Sequence, residues 1–334
     1  WTALARANLT ALLLPEEVGG GGCGILDACL VLEQAGRHLA PTPLLPTLLL
    51  GGLPIAAFGS AGQRERWLTP VAQGEGVLSA ALHEEGSADP SRPRVTAKRD
   101  GDAWRLDGEK ICVPAAPLAG AILVPARTGD REVTVFVVEP GSAGSRLERQ
   151  LTTNREPQSR LTLSGARVAS DAVLGAPGEG ASLVRFIAER AGAGLCAVQL
   201  GLAEEALRRT AEYVTQRKQF GRPIATFQGV ALRAADAFID VEAMRATLWQ
   251  AAWRLDRGLP ADAELATARW WACRGGHRVV HAAQHLHGGI GADVDYPIHR
   301  FLLWAKQNEV TLGGAARQLV ELGRHLADDR SQED

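Results

Sequence analysis

FQGVALRAADAFIDVEAMRATLWQAAWRL, residues 227–255, sets Phe227, Val230, Ala234, Phe238, Val241, Leu248 and Leu255 at successive spacings of 3, 4 or 7. That is the period of one long amphipathic helix, and helices this long and apolar suit a bundle. The period sets in after the turn Gly175-Ala176-Pro177-Gly178. Upstream of it the pattern changes. Val77-Leu78-Ser79-Ala80-Ala81-Leu82, Val133-Thr134-Val135-Phe136-Val137-Val138 and Arg160-Leu161-Thr162-Leu163 are short strand-like runs. Asp100-Gly101 and Asp107-Gly108 read as turns between antiparallel hairpin strands. Earlier still, Ile25 to Leu39 has helical spacing, and Gln63 to Val71 has it more weakly. The expectation is an α+β protein with an N-terminal helical domain (1–76), a middle antiparallel β domain (77–176) and a C-terminal helical bundle domain (177–330). Ser331-Gln332-Glu333-Asp334 reads as a frayed tail.

Composition narrows the function classes. A chain of 334 residues can bury a sizeable core in two or three units. Its formal charge of −2 gives no basic field for nucleic acid or acidic lipid, which leaves a small molecule or another protein as the partner. Five cysteines (Cys23, Cys29, Cys112, Cys196, Cys273) with no CxxC pair point to a reducing, cytoplasmic compartment and away from a disulfide framework or zinc ribbon. The charge-free run from Leu39 to Gln63 is interrupted by Pro41, Pro43, Pro46 and Pro54, so it reads as buried helices and turns, not as a membrane span. The chain opens at Trp1 without a signal or transit pattern, which reads as a trimmed N-terminus.

Gly19-Gly20-Gly21-Gly22-Cys23-Gly24 matches GxGxxG, but no strand precedes it and its surroundings are helical, so a flexible interhelix loop is expected. His277, His281 and His285 recur every four residues and would stack on one helix face. No cysteine or carboxylate cluster joins them, and no metal site is expected. GxSxG, Walker-type and HExxH motifs are absent. Tyr213 and Tyr296, the only tyrosines, are assigned to structure.

Three stretches carry a more specific signal: Arg217-Lys218-Gln219-Phe220-Gly221-Arg222 followed by Gln228, His287-Gly288-Gly289-Ile290-Gly291, and Tyr296-Pro297-Ile298-His299-Arg300. Together they resemble the flavin-dependent acyl-CoA dehydrogenases. The resemblance implies an α-β-α order ending in a four-helix-type bundle, with FAD as cofactor. It also implies ADP-half contacts from Arg217, Gln219, Phe220, Gln228, His285, Gly288 and Gly289, reaching across a subunit interface. Arginine's fork suits a pyrophosphate, histidine at 285 keeps a hydrogen-bonding group where relatives carry glutamine, and the glycines admit close backbone approach.

Against that family pattern the chain lacks a base. The resemblance puts the proton-abstracting glutamate at Leu312, and the alternative position used by some relatives at Ala191; neither can take a proton. Glu189, two residues from Ala191, is rotated by about 200° on a helix. The flavin-ring segments also depart from the family. Ile111-Cys112-Val113-Pro114-Ala115 stands where relatives place an aromatic and a hydroxyl, and His83-Glu84-Glu85-Gly86-Ser87-Ala88 keeps only a glutamate of a Thr-Glu-Pro run. Gly314 and Ala316 replace the usual threonine and glutamine.

The resemblance therefore implies a non-catalytic subunit of a heteromeric dehydrogenase, α2β2, that shares FAD with a second acyl-CoA dehydrogenase-like subunit carrying the glutamate. The substrate would be an acyl-CoA, of steroid side-chain type, and the electron acceptor an electron-transfer flavoprotein. The alternatives are a self-sufficient enzyme using Glu309 or Glu189 as base, and a flavin-free scaffold or acyl-CoA-binding protein.

Overall fold

The computed structural model describes the backbone of residues 1–87 and 89–333 and, within these, side chains as far as residue 327. Its helices are α1 (Thr2–Arg6), α2 (Ile25–Arg37), α3 (Leu53–Phe58), α4 (Ala61–Ala72), α5 (Gly180–Gln216), α6 (Gln228–Asp256), α7 (Asp262–His287), α8 (Ile298–Thr311) and α9 (Gly314–Glu333). Its strands are β1 (Leu78–Ala80), β2 (Thr96–Asp100), β3 (Ala103–Pro114), β4 (Ala121–Arg127), β5 (Val133–Val138), β6 (Ser145–Gln150), β7 (Gln158–Ala169), β8 (Val173–Leu174), β9 (Lys218–Gln219) and β10 (Arg222–Pro223). Helix α9 runs through three of the four residues expected to fray, since no glycine or proline stops it there. Asp334, like Ala88, lies outside the described residues.

Two compact units emerge, one of residues 1–24 and 42–191, the other of residues 25–41 and 192–334. The first is built on a sheet ordered β6-β7-β3-β2-β4-β5-β8, with β1 added beside β4. It is a mixed sheet, because β1 runs parallel to β4. Along β4 and β5 residues alternate between two cores: Leu123, Val135 and Val137 on one face, Ile122, Val124, Phe136 and Val138 on the other. Both faces are covered, so these strands read as continuous apolar runs. Asp100-Gly101 forms the β2–β3 turn. Asp107-Gly108, expected to be a turn, lies inside β3 at a bulge. There Gly108 (φ +132°) passes so close to Val95 that a Cβ would sit 3.0 Å from its Cα. Cα-level crowding of this kind makes a glycine look like a turn signal in sequence. The Gly19–Gly22 loop is also not slack: a Cβ on Gly20 would come within 2.0 Å of the Leu14 carbonyl oxygen, so the glycine marks a close backbone approach. The proline-broken run forms a buried π-helical stretch, Pro46–Gly52, leading into α3.

The second unit gathers α2 with the C-terminal helices. Helix α2 crosses α5 backbone to backbone: a Cβ on Gly201 would meet the Glu33 carbonyl oxygen at 1.8 Å, and one on Gly36 the Val198 carbonyl oxygen at 2.1 Å. Arg245 reinforces the crossing with ion pairs to Glu33 (3.3 Å) and Glu204 (3.1 Å). In α6 the stripe read from sequence is buried only in its second half. Val241, Leu248 and Leu255 are core residues, whereas Phe238 is 58 % exposed, beside exposed Leu232 and Ile239. Periodicity reports an apolar face but not which molecule covers it.

On α5, Glu205 accepts hydrogen bonds from Arg208 and Arg209 (2.7–2.9 Å). The Arg208 bond, opposed by burial and aided by Arg209, holds its carboxyl down at about 2, from an ordinary 4.5. A depressed carboxyl stabilises the fold fully above its unfolded value and loses that contribution as pH falls through the folded one. Thermal melts of wild type and Glu205→Gln across about pH 5 to 2 should converge as the pH falls, the wild type losing more stability than the variant.

Candidate cofactor-binding site

Helix α5 ends at Gln216, and the Arg217 N–H donates back to the Tyr213 carbonyl (2.8 Å). The chain then turns through a two-residue hairpin, β9 pairing β10 around Phe220-Gly221. Both tip residues have positive φ, +53° and +78°. Such tight primed turns favour Asn-Gly, and a phenylalanine there is an uncommon, strained choice. Phe220 is 92 % exposed, its ring edge-on to that of Phe227 with centroids 6.1 Å apart. The Arg222 guanidinium lies over Phe227 at 4.3 Å. Arg217 and Lys218 are exposed and make no ion pair among the described residues. Gln228 is the exposed first residue of α6, whose N-cap, Phe227, offers no side-chain cap bond. Unpaired cations beside an uncapped helix N-terminus form an anion-attracting surface. Gln219 is exposed too, its amide donating to the Lys218 carbonyl (2.8 Å).

The end of α7 lies in the same unit. His285 is exposed, whereas His287 is 3 % exposed, its ring stacked on Tyr213 (4.5 Å between centroids, 20° between planes). Gly288 ends the helix with φ +64° and ψ −140°, a conformation reserved for glycine. A Cβ at Gly288 or Gly289 would meet nothing within 4 Å, so the turn has open space before it. The residues singled out from sequence thus fall on two exposed segments joined at their base by the Tyr213–His287 stack. The helical histidines do not assemble: His277 and His281 lie 4.2 Å apart, His277 bonds to Lys306 and Glu309, and no three potential metal ligands converge among the described residues.

Two of the segments matched to a flavin ring, 83–88 and 111–115, lie in the other unit and are bonded to one another, whereas Gly314 and Ala316 belong to the same unit as the hairpin. The Lys110 ammonium donates to Glu84 at 2.6 Å, with side chains 0 % and 4 % exposed, and Glu84 also accepts from the Arg94 and Val95 amides. Burial pushes the Glu84 carboxyl up, but Lys110 and the amides outweigh it and hold it below its ordinary value. The Ile111 N–H donates to the His83 carbonyl, and the Cys112 N–H to Gln150 Oε1 (2.7 Å). Cys112 adopts a positive φ of +51° where β3 breaks register with β7, and Ala115, just past the end of β3, one of +52°. Glu84, one of two glutamates in the run matched to Thr-Glu-Pro, is therefore a buried anion. Its pairing with Lys110 went unforeseen because 26 residues separate them.

The positions read as candidate bases are apolar or ion-paired. Leu312 is 7 % exposed at the end of α8, and Ala191 is buried. Glu309 pairs with Lys306 (2.7 Å), and Glu189 with Arg185 (2.9 Å) and Arg190 (3.4 Å).

Residues 1–75 match the acyl-CoA dehydrogenase N-terminal domain and residues 178–327 the acyl-CoA dehydrogenase C-terminal domain. The chain belongs to the acyl-CoA dehydrogenase family. It is 39 % identical to acyl-CoA dehydrogenase FadE27 of Mycobacterium tuberculosis, over 98 % of this chain and 88 % of that one. It is 38 % identical to FadE28 of the same organism, over 97 % and 91 %. Among solved structures it superposes on a chain of the Tcur3481–Tcur3483 steroid ACAD variant with a TM-score of 0.90 (44 % identity, 99 % and 89 % covered). It superposes on a chain of the ChsE4–ChsE5 complex from Mycobacterium tuberculosis with a TM-score of 0.91 (40 %, 98 % and 87 %). Acyl-CoA dehydrogenases are FAD-binding oxidoreductases. The exposed cations, the α6 N-terminus and the open glycine turn fit a dinucleotide's phosphates, whereas the ring-side segments spend their donors internally.

Proposed function

We propose that this chain is the non-catalytic subunit of a heteromeric, flavin-dependent acyl-CoA dehydrogenase. It lends Arg217, Gln219, Phe220, Gln228, His285, Gly288 and Gly289 to the ADP half of an FAD shared with a second acyl-CoA dehydrogenase-like subunit. That partner carries the catalytic glutamate, and the assembly is α2β2. The observation that carries this reading is the asymmetry of the chain: the dinucleotide-facing hairpin is exposed, cationic and unpaired, while the base position is a buried leucine. A strained, exposed Phe220 at a hairpin tip is understandable if another chain receives it. When bound, FAD supplies the hydride acceptor for α,β-dehydrogenation; this chain's residues bind and orient it. The likeness to a steroid ACAD and to the ChsE4–ChsE5 complex supports a heteromeric assembly and a steroid side-chain CoA thioester as substrate. A cytoplasmic setting with an electron-transfer flavoprotein as acceptor completes the proposal.

Co-expression with an acyl-CoA dehydrogenase-like subunit that carries the glutamate, with a tag on this chain only, tests it. The expected product holds about one FAD per pair of unlike chains. One FAD per chain on this protein alone would overturn the shared-site reading.

A further inference from the structure

We propose that Tyr213 is a positioning residue whose ring, stacked on His287, locks the Gly288-Gly289 turn to the base of the Arg217 hairpin so that both segments address one dinucleotide. The proposal rests on the cofactor reading above and adds to it the device that sets the geometry. Tyr213 sits one helical turn before Arg217, and its carbonyl accepts the Arg217 N–H at 2.8 Å. Its ring lies 4.5 Å from His287 and nearly parallel to it, and its hydroxyl reaches the His287 carbonyl at 3.5 Å. That carbonyl belongs to the peptide leading into Gly288, whose backbone conformation only glycine holds. Tyr296 closes the cluster, 5.3 Å from the His287 ring and 6.4 Å from that of Tyr213. The only two tyrosines in the chain therefore meet on one buried histidine.

His287 is a costly way to fill that space. Its Nδ1–H donates to the Ala283 carbonyl (2.8 Å), which leaves Nε2 buried with no hydrogen-bond partner among the described residues. An aliphatic side chain would fill the site without an orphaned nitrogen, so what the imidazole adds is its flat face against Tyr213. Burial also pushes its pKa down, and a neutral ring stacks without bringing a charge into the cluster.

Two readouts on the co-purified complex test this: FAD affinity by flavin fluorescence, and amide exchange of residues 288–292. Tyr213→Leu should weaken FAD by about 10-fold, the order expected for one lost ring pair, while Tyr213→Phe, which keeps the stack, should stay within about 3-fold. Exchange at 288–292 should accelerate in Tyr213→Leu and not in Tyr213→Phe. Leu248→Ala, in the core of α6, serves as a control for general loss of stability. If Tyr213→Leu changes neither readout more than Leu248→Ala does, the proposal fails. His287→Leu removes the other ring and gives the same two readouts should Tyr213→Leu not accumulate. A wild-type complex without FAD would sink the cofactor reading, and amide exchange alone would then decide whether the stack holds the turn.

Discussion

Lys110→Met in the full chain is expected to cost about 3–5 kcal/mol of folding stability, the usual consequence of leaving one partner of a buried ion pair alone. Glu84 would keep its two backbone donors but lose the only cation beside it, at a site where its side chain is 4 % exposed. A loss on this scale is a large share of the about 5–15 kcal/mol that holds a typical domain, so much of the protein should become insoluble or protease-sensitive at 37 °C. Glu84→Gln combined with Lys110→Met should recover part of it, because no unpaired charge is then buried, although the single amide oxygen can accept from only one of the Arg94 and Val95 amides, which donate to different oxygens of Glu84. Urea unfolding with an unchanged slope reads the difference directly. A Lys110→Met penalty below about 1 kcal/mol would mean that the pair is hydrated in solution and does not pin the two ring-side segments together. The acid side offers a second check. Glu84 is held below its ordinary value, so the stability it contributes is complete above that value and lost as pH falls through the lower, folded one.

Arg217→Ala is expected to weaken FAD binding to the assembled complex by about 100-fold, or roughly 3 kcal/mol, the upper range for a charge-assisted hydrogen bond to a pyrophosphate. Arg217 is exposed at the base of the hairpin and makes no ion pair among the described residues, so truncation removes nothing from this chain's own fold. Co-purification with the partner should therefore survive while flavin absorbance falls. Arg217→Lys should restore only part of the affinity, since an ammonium cannot repeat the two parallel bonds of a guanidinium. Equilibrium dialysis of FAD against the wild-type and variant complexes makes the measurement. Unchanged occupancy in Arg217→Ala would remove Arg217 from the cofactor site, and a wild-type complex that binds no FAD would favour a flavin-free scaffold over a cofactor-sharing subunit.

Much of this was legible in the sequence, and the misses have physical causes. Helices α2, α4 and α6 and strand β5 stood out because hydrophobic period is a local property of consecutive residues. The hairpin from Arg217 to Arg222 and the Gly288-Gly289 turn were visible as motifs, and the missing carboxylate at Leu312 was visible as a substitution within one. Asp107-Gly108 was misread because a glycine admitted for a strand passing 3.0 Å away looks, in sequence, like one admitted for a turn. The Glu84–Lys110 pair was not legible because 26 residues separate its partners.

The sequence by itself thus determined the element order, the family and the leucine at the position matched to that family's glutamate, all of which depend on residue type and local spacing. Only the tertiary structure decided that α2 joins the C-terminal helices through Gly36 and Gly201, that Lys110 and Glu84 pair as buried side chains, and that Tyr213 meets His287. Each of these is a meeting of residues distant in the chain, set by the packing of whole elements against one another and carried by no single stretch of sequence.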